Sequence, residues 1–224
     1  MRTAEGTPEK ALRTPRAAGV AGILCALVLA AAIVLIRIAL PAGPAGSAGR
    51  LTGSAHRDTL QVVLNLVPFA GVFFLWFMGV VRDRVGKAED RFFATLFLGS
   101  GLLFVAMLFV LASAADSVLA VTDPSRAAGP PPSWQYGRHL TIAMLSSYST
   151  RMAAVFTVST TTIGRQLGIF PRWLAWLGYL AAFYLMFLAS VVPWSELVFP
   201  VWILAVSCLL LLADRRSPGA RDTP

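Results

Sequence analysis

Charge is what this chain has least of. Only 13% of its 224 residues are Asp, Glu, Lys or Arg, where a soluble domain of this size carries about a quarter. Histidine and cysteine are scarcer, at two each. Two cysteines exclude a disulfide framework, and Cys25 and Cys208 both stand inside apolar runs, where they read as small buried hydrophobes and not as a redox pair. His56 and His139 belong to no HExxH pair, and the chain has no G-x-S-x-G elbow, P-loop or CxxC. No pair of aspartates, and no serine with a histidine, stands inside an apolar run as an intramembrane protease needs. No catalytic residue, cofactor or metal ligand is therefore nominated, and an integral-membrane enzyme is the third-ranked expectation.

What the chain does have is apolar length. Hydrophobic residues make up 57% of it, and they come in uninterrupted runs instead of a 3.6-residue stripe, so the solvent they fit is lipid. The formal charge is +8. Nucleic acid needs a contiguous basic face, whereas these cations sit in short clusters beside the apolar runs, where they orient spanning helices. The bilayer is the expected partner, with a membrane protein or a second copy beside it, and nucleic acid is excluded. Arginine outnumbers lysine seventeen to two, a composition associated with GC-rich bacterial genomes.

Residues 1–16 are polar and read as a disordered tail. Ala17 to Leu40 is apolar over more residues than the roughly 7–15 of a signal-peptide core, so it reads as a first span, with Arg37 near enough to its end to snorkel. PAGPAGSAGR follows as a flexible loop. The second run, Thr59 to Val81, contains Pro68, which cannot donate to the carbonyl of Leu64 and so favours a kink. Gln61, Asn65, Pro68 and Val72 share one of its faces. A charged loop, RDRVGKAEDR, leads to a third run from Phe92, ending near Ala115 or continuing to Val121. If it continues, Asp116 lies inside it. Thr122 to Gly137 contains PPP and reads as polyproline II without a packed core. His139 to Gly164 is the fourth run, Trp173 to Val192 the fifth, and Leu197 to Ala213 the sixth. Residues 214–224 form a basic tail.

The fold expectation is all-α: a polytopic bundle over 17–213, with six transmembrane helices in the plasma membrane. Placing the N-terminus inside puts thirteen Lys and Arg on the cytoplasmic side and only Arg50, Arg57, Arg126 and Arg138 on the other. That asymmetry supports both termini being cytoplasmic. Trp134, Trp173 and Trp194 fall near the expected interfaces, as an aromatic belt would have them. Arg91-Phe-Phe-Ala-Thr-Leu and Arg172-Trp-Leu-Ala-Trp-Leu echo one another after glycine-containing cytoplasmic turns. A duplicated hairpin would produce this, and so would the preference of any such helix for a cation followed by an aromatic.

The fourth run carries the only chemistry that stands out. Ser146, Thr150, Ala153, Thr157, Thr160 and Gly164 recur three and four residues apart, a small-residue seam that lets helices approach closely. Beside it, Arg151 lies about 18 Å from either end of the run at 1.5 Å per residue. A mid-membrane arginine costs about 2.5–3.5 kcal/mol on the insertion scale, so it is expected to face protein or a wet cavity. The expected partners are Asp116, Asn65, Gln61, Tyr148, Tyr184 and Ser147, with Glu196 a weaker candidate. Two roles follow. Arg151 could lock the bundle through a polar network, or it could anchor an anionic solute in a cavity open to the outside.

FLWFMGVVRDRVGKAEDRFFATLFLGSG and LGIFPRWLAWLGYLAAF resemble segments of an uncharacterised family of small multi-span membrane proteins from actinobacteria. The resemblance covers roughly the second to sixth helices. It implies a location and no chemistry, and it transfers no site residue. The first functional expectation is a non-enzymatic scaffold or accessory component. The alternative is a small transporter or solute-binding membrane protein.

Overall fold

Long runs of Leu, Val, Ala and Phe offer the backbone no competing partner, so its hydrogen bonds close locally into helices. The computed structural model describes residues 15–40, 54–85, 91–121 and 133–215. These are helical apart from short turns, with no strand among them. The helices are α1 (Pro15–Ala39), α2 (Ser54–Val85), α3 (Arg91–Val121), α4 (Ser133–Ala143), α5 (Thr150–Gln166), α6 (Arg172–Phe187) and α7 (Val198–Arg215). A six-residue π-helical segment, Met144–Ser149, joins α4 and α5 into one continuous rod. The described residues thus form six rods. The tails, the PAGPAGSAGR loop, most of the charged loop before α3 and the PPP stretch lie outside the described residues.

Four helical stretches have the length and apolar composition to cross a membrane: Gly19–Ala39, Arg57–Asp83, Arg91–Val121 and Ser195–Leu212. The expected fourth and fifth spans differ. The fourth is interrupted by the π segment and is hydroxyl-rich through α5. The fifth stops at Phe187, as a helix of sixteen residues, and not at Val192. Pro193 disfavours helical backbone at the residue before it, and the amides of Val191 and Val192 both turn back to the carbonyl of Leu188. The third run does continue to Val121, which places Asp116 within α3. The stretch from Ser133 to Gly137, expected to stay extended, is instead the first turn of α4. There Trp134 is buried, and that burial holds the turn against the bundle.

The rods pack in a ring. α1 lies between α2 and α7, α2 packs on α3, and α3 packs along α4, the π segment and α5. α5 packs on α6, and α7 closes the ring with lighter contacts to α5 and α6. Small residues set the tightest crossings. A Cβ on Gly22 would lie 2.0 Å from Ser207 Oγ of α7, and one on Gly178 would lie 2.2 Å from Thr161 Oγ1 of α5. The turn between α5 and α6 depends on Gly168, whose φ of +69° is left-handed, and the amides of Ile169 and Phe170 bond the carbonyl of Gly164. This is how helices commonly end on glycine.

The centre of the ring is aromatic. Phe74 of α2 lies 5.0 Å, ring to ring, from both Phe104 of α3 and Phe156 of α5, and Phe199 of α7 lies 5.0 Å from Phe104. Phe97 stacks on Phe156 at 4.9 Å. All five are buried. The outside is apolar too: Leu27, Phe69, Val72, Phe183, Phe187 and Val201 are all more than half exposed. This is a bundle filled by aromatic rings and faced with apolar side chains.

Candidate functional site

The structure gathers charge where α1 ends and α7 begins. Arg37 sits in the last turn of α1, and its Nη2 donates to Glu196 Oε1. The side chains are 14% and 2% exposed respectively. Arg37 therefore does not snorkel outward as its position near the helix end suggested. It turns inward because Glu196 is buried within reach, and a buried carboxylate without a cation costs several kcal/mol (roughly 3–5 when one partner is removed).

Local backbone geometry places Glu196. α6 ends in a series of turns, and Trp194 adopts a left-handed φ of +68°, the one non-glycine residue to do so among those described. That reversal opens the short 3-10 turn Ser195–Leu197 and directs both Ser195 and Glu196 inside. Ser195 Oγ donates to the carbonyl of Val192 and lies 3.3 Å from Tyr184 Oη. The turn also reaches across to the π segment. Ser190 Oγ donates to the carbonyl of Ser146 at 3.4 Å and lies 3.3 Å from Ser147 Oγ.

Below the pair is a small cavity lined by Glu196, Ser149, Thr150, Ala153, Leu29, Ile33, Phe104, Leu108, Leu145 and Phe199. It has room for about one water molecule. Glu196 Oε2, Ser149 Oγ, Arg37 Nε and Trp202 Nε1 are buried without a protein hydrogen-bond partner. Two of these residues, Glu196 and Ser149, line the cavity, so a bridging water there would find an acceptor and a hydroxyl. A second cavity of similar size lies past the aromatic centre, lined by Val81, Thr160, Ile163, Gly164, Ile169, Phe170, Val206 and Leu210. Its walls are apolar apart from Thr160.

Of the residues expected to gather round Arg151, Ser147 bonds it through its backbone carbonyl and Tyr148 stands exposed three residues before it, whereas Gln61, Asn65, Asp116 and Tyr184 have no described bond to it. Arg151 is exposed, and its described hydrogen bond runs from Nη1 to the carbonyl of Ser147, 3.2 Å away on its own helix. Gln61, Asn65, Asp116 and Tyr148 are likewise exposed, and Tyr184 turns instead to Ser195. The shared face of Gln61, Asn65, Pro68 and Val72 is an outward one. Of the seam residues, Thr150, Ala153, Thr157, Thr160 and Gly164 are buried and Ser146 is half-buried. Their hydroxyls bond back four residues along the helix, Thr157 to Ala153, Thr160 to Phe156 and Ser146 to Ile142, each at 2.8 Å. Back-bonded hydroxyls present carbon, not a free donor, to the neighbouring helix. The same seam lines both cavities through Thr150, Ala153, Thr160 and Gly164.

Cys25 is buried in α1, whereas Cys208 is exposed on α7, and both are free. Among the described residues no three His, Cys, Asp or Glu side chains stand close enough to hold a metal ion.

Sequence reasoning missed the Arg37–Glu196 pair. The signal was present: each is a lone charge at the end of an apolar run, and the threading puts both ends on the same side. Treating each charge against its own helix, and not against the other, hid the match. No family model matches this chain, and neither a curated protein nor a solved structure matches it.

Proposed function

We propose that this chain is a polytopic protein of the plasma membrane, with six spans and both termini cytoplasmic, and that its role is that of a non-enzymatic scaffold or accessory component. The observation that carries the membrane part is the apolar exterior. Large apolar residues stand exposed along α1, α2, α3, α6 and α7, far more surface than a few hundred Å² of patch tolerated in water. Lipid is the medium that such a surface matches. The loop-charge asymmetry supports the orientation. The scaffold part draws on the ring's filled centre. Phe74, Phe104, Phe156 and Phe199 fill it, and the two cavities described beside it each have space for about one water.

A second reading, a small transporter, draws on those same two cavities. They lie on either side of the aromatic centre along one hydroxyl-bearing seam, as the ends of a closed path would. Thiol labelling separates the two readings in a variant whose Cys25 and Cys208 are alanine. Asp83→Cys should react with a membrane-impermeant reagent only from the cytoplasmic side, and Asp58→Cys only from the opposite side. Ala153→Cys, on the cavity wall, should stay unreactive from both sides in a scaffold. Labelling of Ala153→Cys in intact cells would replace the scaffold reading with the transporter.

A further inference from the structure

We propose that Arg151 and Tyr148 form a binding site for the phosphate group of a membrane phospholipid, on the outer face of the bundle at the level of the α6–α7 turn. The proposal rests on the membrane reading above and adds a ligand to it. Arg151 is exposed, and among the described residues it has no ion pair: the salt bridge described there joins Glu196 to Arg37. One of its five N–H groups is taken by the carbonyl of Ser147, which leaves the rest of the fork available. Tyr148, three residues earlier and within the π segment, is 53% exposed and supplies a hydroxyl.

Depth decides what anion can reach them. Arg165 ends the rod on the cytoplasmic side of the proposed threading. Arg151 is fourteen residues further along, or about 21 Å at 1.5 Å per residue, within a hydrocarbon layer of about 30 Å. Helical side chains lean toward the N-terminus, which here is the far side. The bond to Ser147, one turn in that direction, shows Arg151 doing so. A side chain of arginine's length covers most of the remaining distance of about 9 Å.

A second marker sets the same level. Ser190, in the turn after α6, touches Ser146 and Ser147, so this turn and the π segment share one height. The turn carries exposed Pro193 and Trp194, and tryptophan is the residue that seats at a membrane–water interface. The guanidinium therefore lies where headgroup phosphates lie. Guanidinium meets phosphate through two parallel N–H bonds, and this is the chemistry Arg151 offers.

The test uses the full chain in detergent, measured by native mass spectrometry with phosphatidylglycerol, with diacylglycerol of the same acyl chains, and with inorganic phosphate. Phosphatidylglycerol should be retained over diacylglycerol, Arg151→Gln should lower its retention by about tenfold or more, and Arg151→Lys by about threefold or less. Undiminished retention by Arg151→Gln overturns the proposal. So does displacement of the lipid by inorganic phosphate, which would make the ligand a free anion. A second measurement needs no change at Arg151. Bimane labels at Tyr148→Cys and Phe183→Cys, in the cysteine-free variant, are quenched by lipids carrying quenchers at known depths. Phe183 should report mid-chain depth and Tyr148 headgroup depth. If both report mid-chain, the site is overturned while the membrane reading stands. If neither is quenched, both fall.

Discussion

Replacing Arg37 with methionine would leave Glu196 as a carboxylate 2% exposed with no cation beside it. Methionine keeps the apolar stem that packs along α1 and removes only the guanidinium. Stripping one partner from a buried pair costs about 3–5 kcal/mol, because the survivor keeps its desolvation and loses its attraction. In a chain of this length 1 kcal/mol corresponds to about 2–4 °C, so the melting transition should fall by roughly 6–20 °C. The reverse variant, Glu196→Gln, should cost less, about 1–2 kcal/mol. Arg37 is in the last turn of α1 and 14% exposed, so its long side chain can swing out to the interface once unpaired. Glu196 has no such escape: the left-handed backbone at Trp194 turns it inward. Arg37→Met with Glu196→Met removes both charges and should return to within about 1–2 kcal/mol of the parent or exceed it, as apolar replacements of buried pairs do.

The assay is unfolding of the full chain in one detergent, followed by tryptophan fluorescence, for Arg37→Met, Glu196→Gln, Glu196→Met and the double variant, with the two methionine singles and the double closing the cycle. Trp202, buried and stacked on Phe199 at 6.4 Å, reports on this end of the bundle. The three differences give a coupling energy, which should reach about 3 kcal/mol for charges this buried and fall below about 1 kcal/mol for an exposed pair. A coupling below 1 kcal/mol, or an Arg37→Met variant no less stable than Glu196→Gln, refutes the reasoning. In the first case the pair is solvated, and in the second Glu196 is free to move.

The other expectations concern packing. Phe156→Ala removes the ring that touches Phe74, Phe97 and Phe199 and should cost about 3–5 kcal/mol, whereas Phe156→Leu should cost less than half of that; equal losses would mean that the centre does not depend on aromatic volume. Gly178→Ala should destabilise by about 1–3 kcal/mol, because its Cβ would meet Thr161 Oγ1 at 2.2 Å and Thr161 Cβ at 3.1 Å, while nothing stands within 4 Å of a Cβ on Gly79. Gly79→Ala should therefore gain about 0.5–1 kcal/mol from helix propensity, and the two melting shifts should have opposite signs.

How much of this was legible beforehand follows from which forces act within one helix and which act between helices. α1, α2 and α3 could be read from sequence because an uninterrupted apolar run decides its own state: a span's backbone has no alternative to local hydrogen bonds. The three-and-four spacing from Ser146 to Gly164 could also be read as one face, since it needs only the 3.6-residue period. What could not be read was which face turns inward. In water that question is answered by hydrophobicity, but here Thr157 and Thr160 are buried while Phe183 and Val201 are exposed. Under the proposed membrane reading this follows, because lipid is as apolar as leucine and helices in it associate through close packing and not through hydrophobic sorting. Small and back-bonded residues can therefore share the inside with the aromatic centre, while other bulky apolar side chains face out.

The same inversion explains the two arginines. Distance from the ends of its own apolar run gives Arg151 an interior place. The height that matters is set by a different element, the turn between α6 and α7, which reaches the π segment through Ser190. On the proposed threading, the Arg151 side chain covers most of the distance to the membrane boundary, and it faces outward. Arg37, at a helix end, had water within reach on its own ruler, yet the acid at the start of another helix draws it in. On the proposed reading, a charge in this bundle is placed by the opposite charge that other elements bring to its level, as Glu196 is brought to Arg37. Its own helix fixes only the height at which that meeting can take place.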